Sequence, residues 1–206
     1  MSNKSLMGLI GLLAVVIVGW NSFAKTVTEQ MLAAGVKVAV VTETKDDVDL
    51  LTEEYDSSDL FVLFASFSSM ELIEKANVDE STAVFINLED DAQSLVFLLN
   101  CRKHFSKRVQ YGVVLDNGEL MPTFENAGAA IVVCMNELCS QLIASYVFEP
   151  HVAQFTEDLI ASAVAEDDFD IQQFFVTGAN PYKGKSYESV FFELKTTYDA
   201  IVIGLT

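Results

Sequence analysis

A doubly wound α/β fold around a parallel sheet is what residues 14–135 of this 206-residue chain predict, and three observations carry the prediction. Short apolar runs rich in valine and isoleucine recur without polar alternation, as in strands buried on both faces. Stretches with helical periodicity separate the runs, as crossover connections between parallel strands require. Finally, "AVVIV" leads through Gly19 into an amphipathic stretch, and a second run, "KVAVVT", ends at Glu43. Strand, glycine, helix, strand and acid in that order form the plan of a nucleotide-binding unit.

The elements follow in order. Strands are read at 14–18, 37–42, 60–64, 82–87, 109–115 and 130–134, each bounded by polar or turn-forming residues. Helices are read at 22–34, 45–54, 69–75, 92–104 and 120–126. Asn21 stands where the first helix needs an N-cap, and His104 closes the fourth, where a cation suits the helix dipole. Right-handed crossovers then give a Rossmann-like sheet with helices on both faces. The apolar run at 6–20 is shorter than the roughly 18–20 residues of a spanning helix, so residues 1–13 are read as a leader or linker.

After Cys134 the pattern changes. Two helices, 136–148 and 152–161, meet around Pro150 and form a connector over 136–163. Leu138, Leu142, Ile143 and Tyr146 recur at helical spacing on the first, and Phe155 and Leu159 on the second. Residues 164–206 read as a partial α+β lobe: an acidic stretch "AEDDFD", a strand "IQQFFVT", a turn, a helix "YESVFFELKTTY" and a final strand "AIVIGL".

Composition narrows the function. Thirty acids against 12 bases give a formal net charge of −18, which excludes a nucleic-acid partner because phosphates demand a basic face. Cys101, Cys134 and Cys139 lie in apolar surroundings with no CxxC spacing, which fits reduced thiols in a cytoplasmic protein. No hydrolytic triad or GxSxG turn is present, so the chain is not read as an enzyme. The fingerprint GxGxxG is degenerate as "GWNSFA": Gly19 remains, Asn21 replaces the second glycine, and Ala24 the third. Gly19, Asn21 and Glu43 are therefore weak nucleotide-binding candidates, with NAD or ATP ranked below a divalent cation as ligand.

"VIVGWNSFAKTV", "ELIEKANVDESTAVFINLEDDAQSLVFLLNCRK" and "FENAGAAIVV" resemble the RCK domain, the regulator of potassium conductance, a TrkA-N-like Rossmann family of prokaryotic ligand-gated potassium channels. The resemblance covers about residues 14–163 and extends weakly into "YKGKSYESVFFELKTTYDAIVIGL". It implies a cytoplasmic gating domain that senses a ligand, pairs through the helices after the sixth strand, and joins a ring beneath a pore-forming membrane domain. Leu138, Leu142, Ile143, Tyr146, Phe155 and Leu159 would then form the homodimer interface. Alternatives are a nucleotide-sensing subunit of a potassium uptake system and an NAD-dependent oxidoreductase fragment.

The resemblance also implies a calcium site in the loops after the fourth and fifth strands. Asp91 and Asp116 match two of its acids, with Glu89 and Asp90 beside them, while Val114 departs from the pattern. Calcium takes six to eight oxygen ligands, largely carboxylates and carbonyls. Asp90 and Asp91 serve equally as helix-capping groups.

Overall fold

The structure is a computed structural model and describes residues 14–160 and 177–204. Contacts divide the chain into two compact units, Met1–Ser162 and Ala163–Thr206.

In the first unit six strands form one parallel sheet: β1 (Ala14–Val18), β2 (Lys37–Thr42), β3 (Leu60–Phe64), β4 (Ala83–Ile86), β5 (Gln110–Leu115) and β6 (Ile131–Cys134). Their order is β3-β2-β1-β4-β5-β6. The chain thus winds outward from β1 in one direction, returns to β4, and winds outward in the other. Helices α1 (Ser22–Ala33), α2 (Lys45–Glu54), α3 (Met70–Ile73), α4 (Asp91–His104) and α5 (Met121–Ala127) fill the crossovers.

Strand periodicity divides the core in two. Val16, Val18, Val84, Ile86, Val113 and Leu115 face a layer containing Ile73, Phe97, Leu98 and Phe124. Ile17, Val38 and Val40 face Ala24 and Leu51 on the other side. Each fully buried aliphatic or aromatic side chain here contributes roughly 1.5–3 kcal/mol of transfer free energy. Because both faces are covered, strand sequences carry no polar alternation.

The helix boundaries have local causes. The Asp90 carboxylate accepts from the Gln93 amide at 2.8 Å and starts α4, while Arg102, Lys103 and His104 occupy its last turn. Gly128, at φ +99°, ends α5 in the left-handed region. The helix expected over 69–75 is instead α3 and a 3₁₀ turn, Glu74–Ala76. Asn77, at φ +58°, ends it, since asparagine tolerates a conformation no helix can continue through.

Two helices follow β6 with almost no gap. α6 (Met135–Phe148) ends at Glu149, and Pro150 opens α7 (Pro150–Ile160), where its fixed φ and missing N–H suit a first turn. The Tyr146 hydroxyl donates to the Glu157 carboxylate across this hairpin.

In the second unit α8 (Tyr187–Tyr198) has the predicted bounds and is capped by Ser186, whose hydroxyl accepts from the Ser189 amide. The predicted final strand does not form at residues 201–204. Among the described residues of that unit no strand is available to pair with it, and a strand without a neighbour leaves its ladder groups unpaired. The strand expected at 171–177, apart from Thr177, and the acidic cluster at 166–170 lie outside the described residues.

Candidate functional site

β1 and β4 are neighbours whose crossovers leave in opposite directions, so a crevice opens beyond their carboxyl ends. The β1–α1 loop that forms one wall is Gly19-Trp20-Asn21. Gly19 has φ +91°, and a Cβ there would lie 2.2 Å from the Asn87 carbonyl oxygen. Its amide donates to the Val41 carbonyl at 3.0 Å, while the Asn87 amide donates to the Val18 carbonyl at 2.9 Å. The loop is therefore clamped between β2 and the end of β4. Half-buried Trp20 packs on the core beneath α1 and α2.

Asn21 holds the opening of α1. Its Oδ1 accepts from the Ala24 amide at 2.9 Å and from Asn87 Nδ2 at 2.8 Å. Asn87 is only 7% exposed, so this contact satisfies a buried amide. Asn87 was not a sequence candidate. The only signal it gives is a polar residue ending an apolar strand, which no fingerprint distinguishes from an ordinary turn.

Glu43 follows β2 and reaches sideways to the loop after β3. One of its carboxylate oxygens accepts from Ser66 Oγ at 2.8 Å and from the Phe67 amide at 2.7 Å. The Ser66 and Ser68 hydroxyls lie 3.0 Å apart. Glu43 thus stands at the carboxyl end of β2 with one oxygen already engaged.

The proposed cation ligands are arranged otherwise than calcium requires. Asp91 Oδ1 accepts from the Asp116 amide at 3.2 Å and Asp91 Oδ2 from the Asn117 amide at 3.0 Å. Asp90 caps α4, and Glu89 and Asp116 are exposed. Among the described residues, no group of three or more His, Cys, Asp or Glu side chains could hold a metal ion. The structure does not bring Asp91, Asp116, Glu89 and Asp90 into such a group: the most enclosed of these carboxylates, Asp91, accepts from two backbone amides and braces the end of β5 to the start of α4. Val114 lies in the sheet core at 8% exposure.

That brace continues. The Asp116 carbonyl accepts from Asn136 Nδ2 at 3.1 Å, at the first turn of α6. On α6 and α7, Ile143 is 65%, Val147 71%, Phe148 82% and Phe155 52% exposed. Leu138, Tyr146 and Val152 are exposed as well, while Leu142 and Leu159 are half-buried. No helix among the described residues is long and apolar enough to cross a membrane.

Cys101 is buried on the core-facing side of α4, which pushes its pKa up to about 12, and a thiol of that kind carries almost no thiolate. A cleft of about 270 Å³ lined by Gly35, Lys37, Tyr55, Asp56 and Asp59 opens at the amino-terminal edge of the sheet, away from the crevice.

The TrkA-N domain family model matches residues 15–135. The chain belongs to the TrkA-N family. The RCK resemblance read from the sequence and the Rossmann-like fold are both borne out.

Three solved structures share the fold of this TrkA-N domain. The TrkA-N domain of the inner membrane protein ybaL from Escherichia coli is 13% identical, with a TM-score of 0.59 over 66% of this chain and 96% of that one. The NAD(P)-binding domain of an exopolyphosphatase-related protein from Archaeoglobus fulgidus is 23% identical, with a TM-score of 0.57 over 65% of this chain and 96% of that one. GsuK bound to ADP is 16% identical, with a TM-score of 0.59 over 82% of this chain and 51% of that one. The TrkA-N chain thus spans about half the length of that GsuK chain. Comparison with curated proteins found no match.

Proposed function

We propose that this TrkA-N domain is a cytoplasmic regulatory module of a potassium-transport protein, working in pairs. In this reading two copies meet through the α6–α7 hairpin, and a nucleotide at the β1–β4 crevice changes how the pair acts on a pore-forming membrane partner. The observation that carries the reading is the run of exposed apolar side chains on α6 and α7, beside a sheet whose own core is complete. Exposed apolar side chains gathered on one hairpin are characteristic of an interaction site. The RCK resemblance and the GsuK match supply potassium transport as its setting. A nucleotide is favoured because the crevice keeps the position, the glycine and the strand-end acid of a nucleotide unit, and because relatives were solved with ADP or as NAD(P)-binding domains. The Asp91 brace and its link to Asn136 join the crevice side of the sheet to the foot of α6, a physical route for coupling.

Sedimentation of residues 1–206 tests the pairing. A dimer is expected for the wild type. A monomer with unchanged far-UV circular dichroism is expected for the double variant Ile143→Glu, Phe155→Glu, since charges on both helices penalise burial. A wild type that stays monomeric at 100 μM, or a double variant that still pairs, removes the proposed interface.

A further inference from the structure

We infer that Asn21 is the residue that sets ligand specificity in the crevice, turning it from a phosphate reader into a nucleoside reader. The inference rests on the nucleotide reading above and concerns which part of the nucleotide is recognised.

In a dinucleotide-type loop the second glycine lets backbone approach a pyrophosphate, whose oxygens accept from the amides opening the helix. Here the side chain of Asn21 takes that role from within the chain. Its Oδ1 occupies the Ala24 amide, which would otherwise be offered to an incoming oxyanion. The same oxygen holds Asn87 Nδ2, the amide of a residue 7% exposed at the end of β4. A phosphate that displaced Asn21 would have to take over both donors, the Ala24 amide and the buried Asn87 amide, and so would exchange satisfied hydrogen bonds for equivalent ones. Retreat of the loop is also closed, because Gly19 already sits so close to the Asn87 carbonyl that a Cβ would stand 2.2 Å from it. The Ala24 amide of the helix opening is thus already satisfied, and the loop before it is pinned on both sides.

The other end of the crevice is less committed. Glu43 uses one oxygen for Ser66 and Phe67 and is exposed, so its second oxygen remains for a sugar hydroxyl. A ligand would therefore be held by its nucleoside portion, with added phosphates bringing little further affinity.

Calorimetric titration of residues 1–206 with adenosine, AMP and ADP tests this. For the wild type the three dissociation constants should agree within about threefold. In Asn21→Gly, ADP should bind at least tenfold tighter than adenosine, because the helix opening is then free. Asn21→Asp, which keeps the acceptor and adds charge, should gain nothing. If Asn21→Gly does not fold, the wild-type series still decides. ADP binding tenfold tighter than adenosine in the wild type overturns the inference while leaving the nucleotide reading intact. No heat with any of the three in either wild type or folded Asn21→Gly overturns the nucleotide reading and the inference with it.

Discussion

At Gly19 two constraints coincide: a φ of +91° that disfavours any side chain, and the Asn87 carbonyl standing where a Cβ would go. Gly35 shares the first constraint, at φ +74°, but has nothing within 4 Å of its Cβ position. The pair separates strain from collision. Gly35→Ala should cost about 1 kcal/mol, the backbone term alone. Gly19→Ala adds a steric clash with backbone and should cost about 3 kcal/mol, lowering the melting temperature by about 6–12 °C. Thermal denaturation of both variants measures the difference, and equal losses would mean that the β4 contact yields without cost. The sequence exposed Gly19 and Asn21 because a known fingerprint runs through them. It hid Asn87, because an asparagine 66 positions away becomes a partner only when the sheet order places β4 beside β1.

Among the elements, the end of β5 shows how much a carboxylate leaves open in a sequence. An acid in a strand-end loop is spelled identically whether it meets a cation or a peptide N–H. Asp91 sits on the first turn of α4 and receives two amides from the chain leaving β5, so it links two crossovers. Asp91→Ala removes two charge-assisted hydrogen bonds and should destabilise the unit by about 2 kcal/mol. Amide hydrogen exchange should quicken first at Asp116 and Asn117, with the Asp90 cap of α4 retained. Uniform exchange across the sheet would show that the brace has no local role. The strands and long helices were legible because their period is written in apolar residues, and their bounds moved by only one or two positions. The stretch read as one helix over 69–75 divides at Glu74 into α3 and a 3₁₀ turn, because the hydrophobic pattern does not distinguish the two kinds of turn. The final strand was overestimated because apolar spelling says nothing about whether a neighbour exists.

For the molecule as a whole, a complete core inside the sheet unit contrasts with an apolar hairpin left at its surface. The doubly wound parallel sheet was readable before any contact was known, but the order β3-β2-β1-β4-β5-β6 was not, since other strand orders satisfy the same crossover handedness. Which helices stay uncovered was not, since periodicity marks an apolar face without saying what covers it. The exposed hairpin has a further consequence once charge is counted. Each chain carries a formal charge of −18, so two copies meeting through α6 and α7 bring like-signed surfaces together. Apolar contact favours the encounter and Coulomb repulsion opposes it, and only the second is weakened by dissolved ions, whose screening length falls from about 30 Å at 0.01 M to about 8 Å at 0.15 M. Association should therefore tighten as potassium chloride rises across that range, at least threefold by sedimentation, with sodium chloride acting alike. A module of this build would feel the ionic strength of its compartment through its own assembly, before any ligand arrives.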